Sequence, residues 1–384
     1  MNRPIWPASL LLAATMLAAG CGSAASRTAA PASPARPPSL ATSLATATGT
    51  WAVAVMGGSA ARHNNFWQLF VRPAGTSTWR LATPPGVASN GGLVLTGLAS
   101  GSVLAGFRPS QDLTYSPLAV TKDNGKAWSP GLLEAGLADV PGALAADPAS
   151  GRLLALLTDG TTDISGPGGT AWTRLITPRA LGASTAGTRC RSGRLTAAAF
   201  SPSGQPLLAA ACGRPGTAGI FSGTGGTWRL IGPVLPAAYA HQAVTVLRLI
   251  TTGETTTALL DAGTGPAARL LAAWSPDGGA HWTLSPPLPM DGAALRSASL
   301  GPASSLAITL SRRRAVTISS GTGSWRPLPP LPAGTATLAP SGSGGWEALA
   351  VHGTELTVWQ AGPGSRAWAS GQVIKVPVPF GSSG

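Results

Sequence analysis

Two eight-residue stretches put an aspartate where it can either do chemistry or hold a turn. SPDGGAHW (275–282) sets Asp277 four residues before His281, and TKDNGKAW (121–128) sets Asp123 in the same place. Such a carboxylate could serve as a catalytic acid or base. Both stretches, however, follow one outline: Ser or Thr, any residue, Asp, any residue, Gly, two further residues, Trp. In such a turn the carboxylate accepts N–H bonds from the residues that follow, the hydroxyl assists, and the glycine takes a positive φ. The tryptophan then covers the hairpin with a large apolar face. Thr121, Asp123, Gly125 and Trp128, and Ser275, Asp277, Gly279 and Trp282, are therefore expected to be structural, with His281 a turn filler.

The remaining acids offer no obvious reacting pair. Asp147 falls in a strand turn, and Asp159 and Asp163 lie in TDGTTD, whose oxygens suit a plain turn as well as a cation. Asp112, Glu134, Asp139, Glu254, Asp261, Asp291, Glu347 and Glu355 are left as candidate pocket groups, each expected at a solvated surface. Glycoside hydrolysis needs two carboxylates flanking one bond, and no spacing marks such a pair. There is no GxSxG elbow, phosphate loop or dinucleotide fingerprint, and His63, His241, His281 and His352 are scattered. No catalytic residue, metal site or cofactor is expected.

The elements that would position these residues come in repeats. Degenerate copies of the outline end at Trp79, Trp172, Trp228, Trp325 and Trp368, making seven closing tryptophans spaced 49, 44, 56, 54, 43 and 43 residues apart. That period suits one four-stranded sheet per repeat, and radial assembly of such sheets makes a propeller. After each tryptophan comes a short strand and a Pro-rich crossing, as in WRLATPPG, then a strand pair around a turn, as in LAADPASGRLLALL. With 51 Gly and 35 Pro, long helices are excluded, and 44% apolar residues exclude disorder. The fold expected over 45–384 is an all-β, seven-bladed β-propeller, with six or eight blades as alternatives. The segment SGQVIKVPVPF (370–380) either completes the last blade or lends a strand to the first.

The boxes resemble the Asp-box, or BNR, repeats of sialidase-like bacterial propellers. That resemblance implies that each box joins the third and fourth strands of a blade, toward the rim. A sialidase would also need an arginine triad, a Tyr–Glu pair and an Asp acid/base. The family's Phe-Arg-Ile-Pro motif has no counterpart, since FVRPAG (70–75) shares letters but not the pattern, and neither Tyr115 nor Tyr239 has a glutamate nearby in sequence.

The N-terminus resembles a bacterial lipoprotein signal. Arg3 supplies a basic start, LLLAATMLAA an apolar core too short to span a bilayer, and LAAGC a lipobox with Leu17 one place earlier than usual. The expected organisation is a signal over 1–20, a lipidated Cys21 heading an Ala/Pro/Ser-rich tether over 21–44, and the propeller thereafter, held outside the cell membrane. A secreted form is the alternative. Cys190 and Cys212 flank what reads as a hairpin around SPSGQ, so a disulfide is expected in an oxidising compartment.

The net charge is +13, nearly all from arginine. Two clusters stand out as a docking patch for an anionic partner: Arg312, Arg313 and Arg314, and Arg189, Arg191 and Arg194. Nucleic acid is not expected, because no aromatic residues interleave with these arginines. The leading expectation is a monomeric, non-enzymatic binding or scaffold protein for a protein or glycan of the cell envelope. The competing one is a sialidase-like hydrolase with divergent catalytic residues.

Overall fold

The computed structural model describes residues 42–57, 65–84, 92–98, 101–107, 118–129, 141–169, 171–320 and 323–377. The signal segment, Cys21 and most of the tether lie outside them, as do His63, Asp112, Tyr115, Glu134 and Asp139. The described strands form seven consecutive antiparallel meanders, over 43–81, 93–121, 141–176, 192–230, 244–284, 295–327 and 335–375. In the second, the fourth position is marked by a bridge between Val120 and Ser129. The first strand begins at Ser43, two residues ahead of the expected boundary. The fold is an all-β propeller.

Each meander runs in chain order, and the first strands of neighbouring sheets lie against one another, so they form the innermost layer. The second strands, such as VLAGF (103–107), LLALL (153–157) and LAITL (306–310), are buried throughout. A strand covered on both faces reads as a continuous apolar run rather than an alternating one. Alanine is prominent there because small side chains let stacked sheets approach: Ala155, Ala209, Ala258, Ala307 and Ala348 are all fully buried.

Seven buried clusters join consecutive sheets. Trp51 and Leu69 of the first pack with Val103 and Ala105 of the second, and Leu104 of the second with Leu153 of the third. The series continues through Leu154 with Phe200, Leu207 with Leu260, Leu259 with Ile308, and Ala307 with Leu338. It returns to its start where Leu349 and Val358 of the seventh sheet meet Ala54 and Phe70 of the first. Five of the innermost strands shift register near their start, between Pro141 and Ala143, Leu195 and Ala197, Val246 and Arg248, Leu295 and Ser297, and Thr335 and Thr337. Such bulges add local twist where strands crowd.

The ring closes without strand exchange. Ala369–Lys375 pairs with Glu355–Ala361 inside the last sheet, so the first of the two expected closures is the one formed. A buried polar knot seals the seam. Arg72 donates to Glu347 Oε1 (3.4 Å), Thr50 Oγ1 (3.2 Å) and the Pro340 carbonyl (2.9 Å), and Trp79 Nε1 donates to Glu347 Oε2 (3.1 Å). Gln372 clasps the Trp79 main chain from both sides, accepting its N–H and donating to its carbonyl, each at 2.7 Å. Glu347, expected at a solvated surface, is instead 1% exposed. Burial pushes its carboxyl above the ordinary range, against the pull of Arg72 and of the Trp79 and Gln360 N–H groups.

Removing one partner of a buried pair strands the other charge. Glu347→Leu is therefore expected to lose about 3–5 kcal/mol in urea denaturation. The double change Arg72→Met with Glu347→Leu should recover most of that loss, since apolar replacement of a whole buried pair is often near neutral.

Candidate functional site

Both aspartates of the full boxes serve the turn. Asp123 Oδ1 accepts N–H bonds from Ala127 (2.9 Å) and Lys126 (3.0 Å) and the Thr121 hydroxyl (2.9 Å), while Gly125 N–H donates to Thr121 Oγ1 (2.8 Å). Asp277 Oδ1 accepts from His281 N–H (2.9 Å) and the Ser275 hydroxyl (2.8 Å), and Gly279 N–H donates to Ser275 Oγ (2.7 Å). The Ala127 N–H foremost holds Asp123 below the ordinary carboxylate range, and the His281 N–H does the same for Asp277. A carboxylate stabilised in its charged form is a poor proton donor. Thr121 and Ser275 end the third strands of their sheets, and Trp128 and Trp282 precede the fourth.

The sequence pattern did not reveal where the box reaches. Trp128 Nε1 donates to the Ala82 carbonyl (3.0 Å), and Trp282 Nε1 to the Ile231 carbonyl (2.7 Å), each on the preceding sheet. A Cβ on Gly125 would lie 2.8 Å from Ala82 Cβ, and one on Gly279 would lie 2.2 Å from Ile231 Cδ1. Glycine and tryptophan of one box thus close on the same residue of the neighbouring sheet. Trp325 and Trp368 do likewise with the carbonyls of Pro286 (2.8 Å) and Pro329 (3.1 Å).

Cys190 and Cys212 form the expected disulfide, with Cα atoms 5.1 Å apart. The hairpin between them exists, Ser192–Phe200 with Pro206–Cys212. Cys190 itself, however, ends a helix that sequence reasoning missed. Two short helices, α1 (Pro178–Ala183) and α2 (Thr185–Cys190), connect the third sheet to the fourth. Thr177 and Ser184 cap their N-termini by accepting from Ala180 N and Gly187 N, and Pro178 opens the first. The TPRA and ST signals were readable in sequence, but the surrounding Gly and Pro masked helices this short.

The arginine clusters divide. Arg189 and Arg191 are exposed at the end of α2, whereas Arg194 turns to the third sheet and donates to the Thr158 carbonyl (2.8 Å). In the second cluster Arg312 is exposed, Arg313 donates to the Leu331 carbonyl (2.5 Å), and Arg314 pairs with Asp291 (3.6 Å). In a meander the turns between strands one and two and between three and four share one end. The turn between two and three and the crossing to the next sheet share the other. Both arginine clusters fall at this second, connection face, and the boxes fall at the first.

The innermost strands carry Arg194, Arg248 and Arg296 as their charged residues. Burial lowers the Arg248 guanidinium to about 10. Other acids sit further out. Asp147 takes Ala149 N–H (3.0 Å) and pairs with Arg152 (2.9 Å), Asp159 takes Thr161 N–H (2.6 Å), and Glu355 pairs with Lys375 (3.8 Å). Asp261, on a second strand, is pushed up to about 6 by burial, and Asp163 is also raised by burial. Among the described residues no three His, Cys, Asp or Glu side chains gather as a cation site.

No family model matches the chain, and neither does any curated protein. Solved structures do match. YCF48 from Cyanidioschyzon merolae aligns with TM-score 0.51 at 12% identity, covering 85% of this chain and 97% of that one. A candidate 6-phosphogluconolactonase from Bacteroides uniformis gives 0.51 at 13%, covering 86% and 97%. A protein from Lactobacillus plantarum gives 0.52 at 10%, again covering 86% and 97%. The likeness is one of propeller fold.

Three substitutions test these assignments through stability. Gly279→Ala, with a Cβ against Ile231 and φ at 101°, should cost about 2–3 kcal/mol, and Trp282→Phe about 1–2 kcal/mol by orphaning the Ile231 carbonyl. For Asp261, the unfolded chain ionises first as pH rises, so stability falls between the ordinary value of 3.8 and about 6 and stays lower above. Asp261→Asn should remove that fall and gain about 1–2 kcal/mol at neutral pH, allowing for partial solvent screening.

Proposed function

We propose that this chain is an exported, lipid-anchored propeller that holds a protein or glycan at the cell envelope without turning it over. The observation that carries the reading is the chemistry of the innermost layer: the charged residues on its described strands are Arg194, which bonds within the fold, Arg248 and Arg296, and no acid stands on any of them. A glycosidase needs two carboxylates facing each other across a bond, about 5–10 Å apart. An arginine-bearing axis with Thr and Ala around it favours an anionic ligand. The box aspartates, which give the chain its likeness to sialidase-like propellers, are spent on turns at the opposite face.

The address follows from the N-terminus. Cys21 after LAAG is the proposed lipidation site, and 22–39 the spacer that lets the ring stand clear of the membrane. The Cys190–Cys212 disulfide fits an oxidising compartment outside the cytoplasm. The ring closes on itself within one chain, which supports a monomer.

The test is a binding screen on the full-length protein against glycans and polyanions at low and moderate salt, with fluorogenic sialosides and other glycosides run in parallel. Binding without turnover, weakening as salt rises, is expected. Glycoside turnover abolished by changing a single carboxylate would replace this reading with the hydrolase one. In a lipoprotein-processing host, labelled fatty acid should enter the wild type and not Cys21→Ala.

A further inference from the structure

The connection face of the fourth sheet carries three arginines that the described fold does not use. Arg189 and Arg191 stand at the end of α2, and Arg214 in the turn after Cys212; all three are exposed. Their main chains run side by side, with Gly213 N–H donating to the Arg191 carbonyl (3.2 Å) and Arg214 N–H to the Cys190 carbonyl (3.0 Å). The Cys190–Cys212 disulfide staples the two segments directly beneath. Arg191 holds a left-handed conformation (φ 54°) that ends the helix and turns the chain into the sheet. Among the described residues, none of the three side chains forms an ion pair or a hydrogen bond, unlike Arg194, Arg313 and Arg314.

An apolar strip borders them. Leu235 N–H donates to the Gly216 carbonyl (2.8 Å), Gly216 N–H to the Gln242 carbonyl (2.8 Å), and Val234 bridges Thr217. These bonds fix 233–242 against the arginine-bearing turn. Val234 is 74% exposed, the most exposed large apolar side chain among the described residues, and Pro236, Ala237 and Ala238 are exposed beside it. An exposed apolar strip rimmed by unpaired cations is the layout of a docking surface.

We infer that this disulfide-stapled platform binds an acidic protein segment that carries an apolar residue among its carboxylates. Guanidinium forks match carboxylates bidentately. The apolar strip separates a peptide from the other anions: a polyanionic glycan offers Val234 nothing to pack on, and a bilayer surface calls for several large apolar side chains to insert. The inference rests on the binding reading above and names the partner's chemistry.

The test is fluorescence anisotropy with the full-length protein and a labelled Glu- and Asp-rich peptide of about ten residues with one central leucine, at about 50 and 150 mM salt. Arg189→Gln, Arg191→Gln and Arg214→Gln together should weaken binding about tenfold or more, Val234→Ser about threefold, and Arg312→Gln by less than about twofold. Replacing the same three arginines by glutamate should transfer the preference to a lysine-rich peptide. All these side chains are exposed, and unchanged circular dichroism checks that the variants remain folded. Wild-type affinity in the triple glutamine variant would overturn the inference. So would indifference to the peptide's leucine, or equal competition by phosphatidylglycerol vesicles or dextran sulfate. If the peptide fails while the glycan screen still shows binding without turnover, the platform is wrong and the scaffold reading stands; glycoside turnover would remove the reading itself.

Discussion

A stack of sheets that are apolar on both faces is stable only when no face is left in water, so the last sheet of this chain has to find the first. Six of the seven contacts join sheets that follow one another in sequence, which makes them local and entropically cheap to form. The seventh brings Phe70 and Trp79 to Leu349 and Leu356 across most of the chain. Apolar burial alone would leave that contact as permissive as the others. The knot of Arg72, Glu347, Trp79 and Gln372 gives it a fixed register, because a buried charge accepts only the geometry that satisfies it.

The same constraint explains the repeated boxes. Each sheet must keep its distance and angle to the one before it, and at four of the seven boxes the clip of an indole N–H onto a neighbouring carbonyl helps to set both, whereas the Trp172 indole N–H has no partner among the described residues. At Trp128, Trp282, Trp325 and Trp368 the acceptor is a main-chain carbonyl on the preceding sheet. At Trp79, where the preceding sheet is the last in the chain, the acceptor is the Glu347 carboxylate. The seam is thus a variation on the clip, with a side chain in place of the main chain and an arginine added to neutralise it. The carboxylate within each full box plays a smaller part: it tightens the turn so that glycine and tryptophan can reach across together.

The repeat was legible in the sequence because it depends on residues with few substitutes. Glycine at positive φ, a carboxylate that caps a turn and a large flat side chain leave a pattern that survives even when, as at Trp172 or Trp325, the aspartate is gone. What the sequence hid has physical reasons as well. Glu347 looked like any surface acid because its partner Arg72 lies in another sheet, at a separation no local pattern records. The helices α1 and α2 are each six residues long, too short to show amphipathic periodicity. The disulfide could be read from the two strands between its cysteines, yet the backbone that presents Cys190 is helical. Among the arginines, composition marked two clusters of three, and only the fold shows that Arg194, Arg313 and Arg314 are bound to the protein itself while Arg214, in neither cluster, stands with Arg189 and Arg191.

Those assignments bear on what the ring can do. Asp123, Asp277, Asp147 and Glu254 lie in turns at the box face, while both arginine clusters lie at the connection face. Acids are found at the connection face too, where Asp159, Asp291 and Glu355 lie in or beside turns or crossings. The chain carries 26 basic and 13 acidic residues, and Arg189, Arg191, Arg214 and Arg312 stand exposed at the connection face. Exposed guanidinium groups draw anions before any particular contact forms. Specificity then has to come from local relief, and unpaired guanidinium groups meet an exposed apolar strip at the edge that the disulfide holds together.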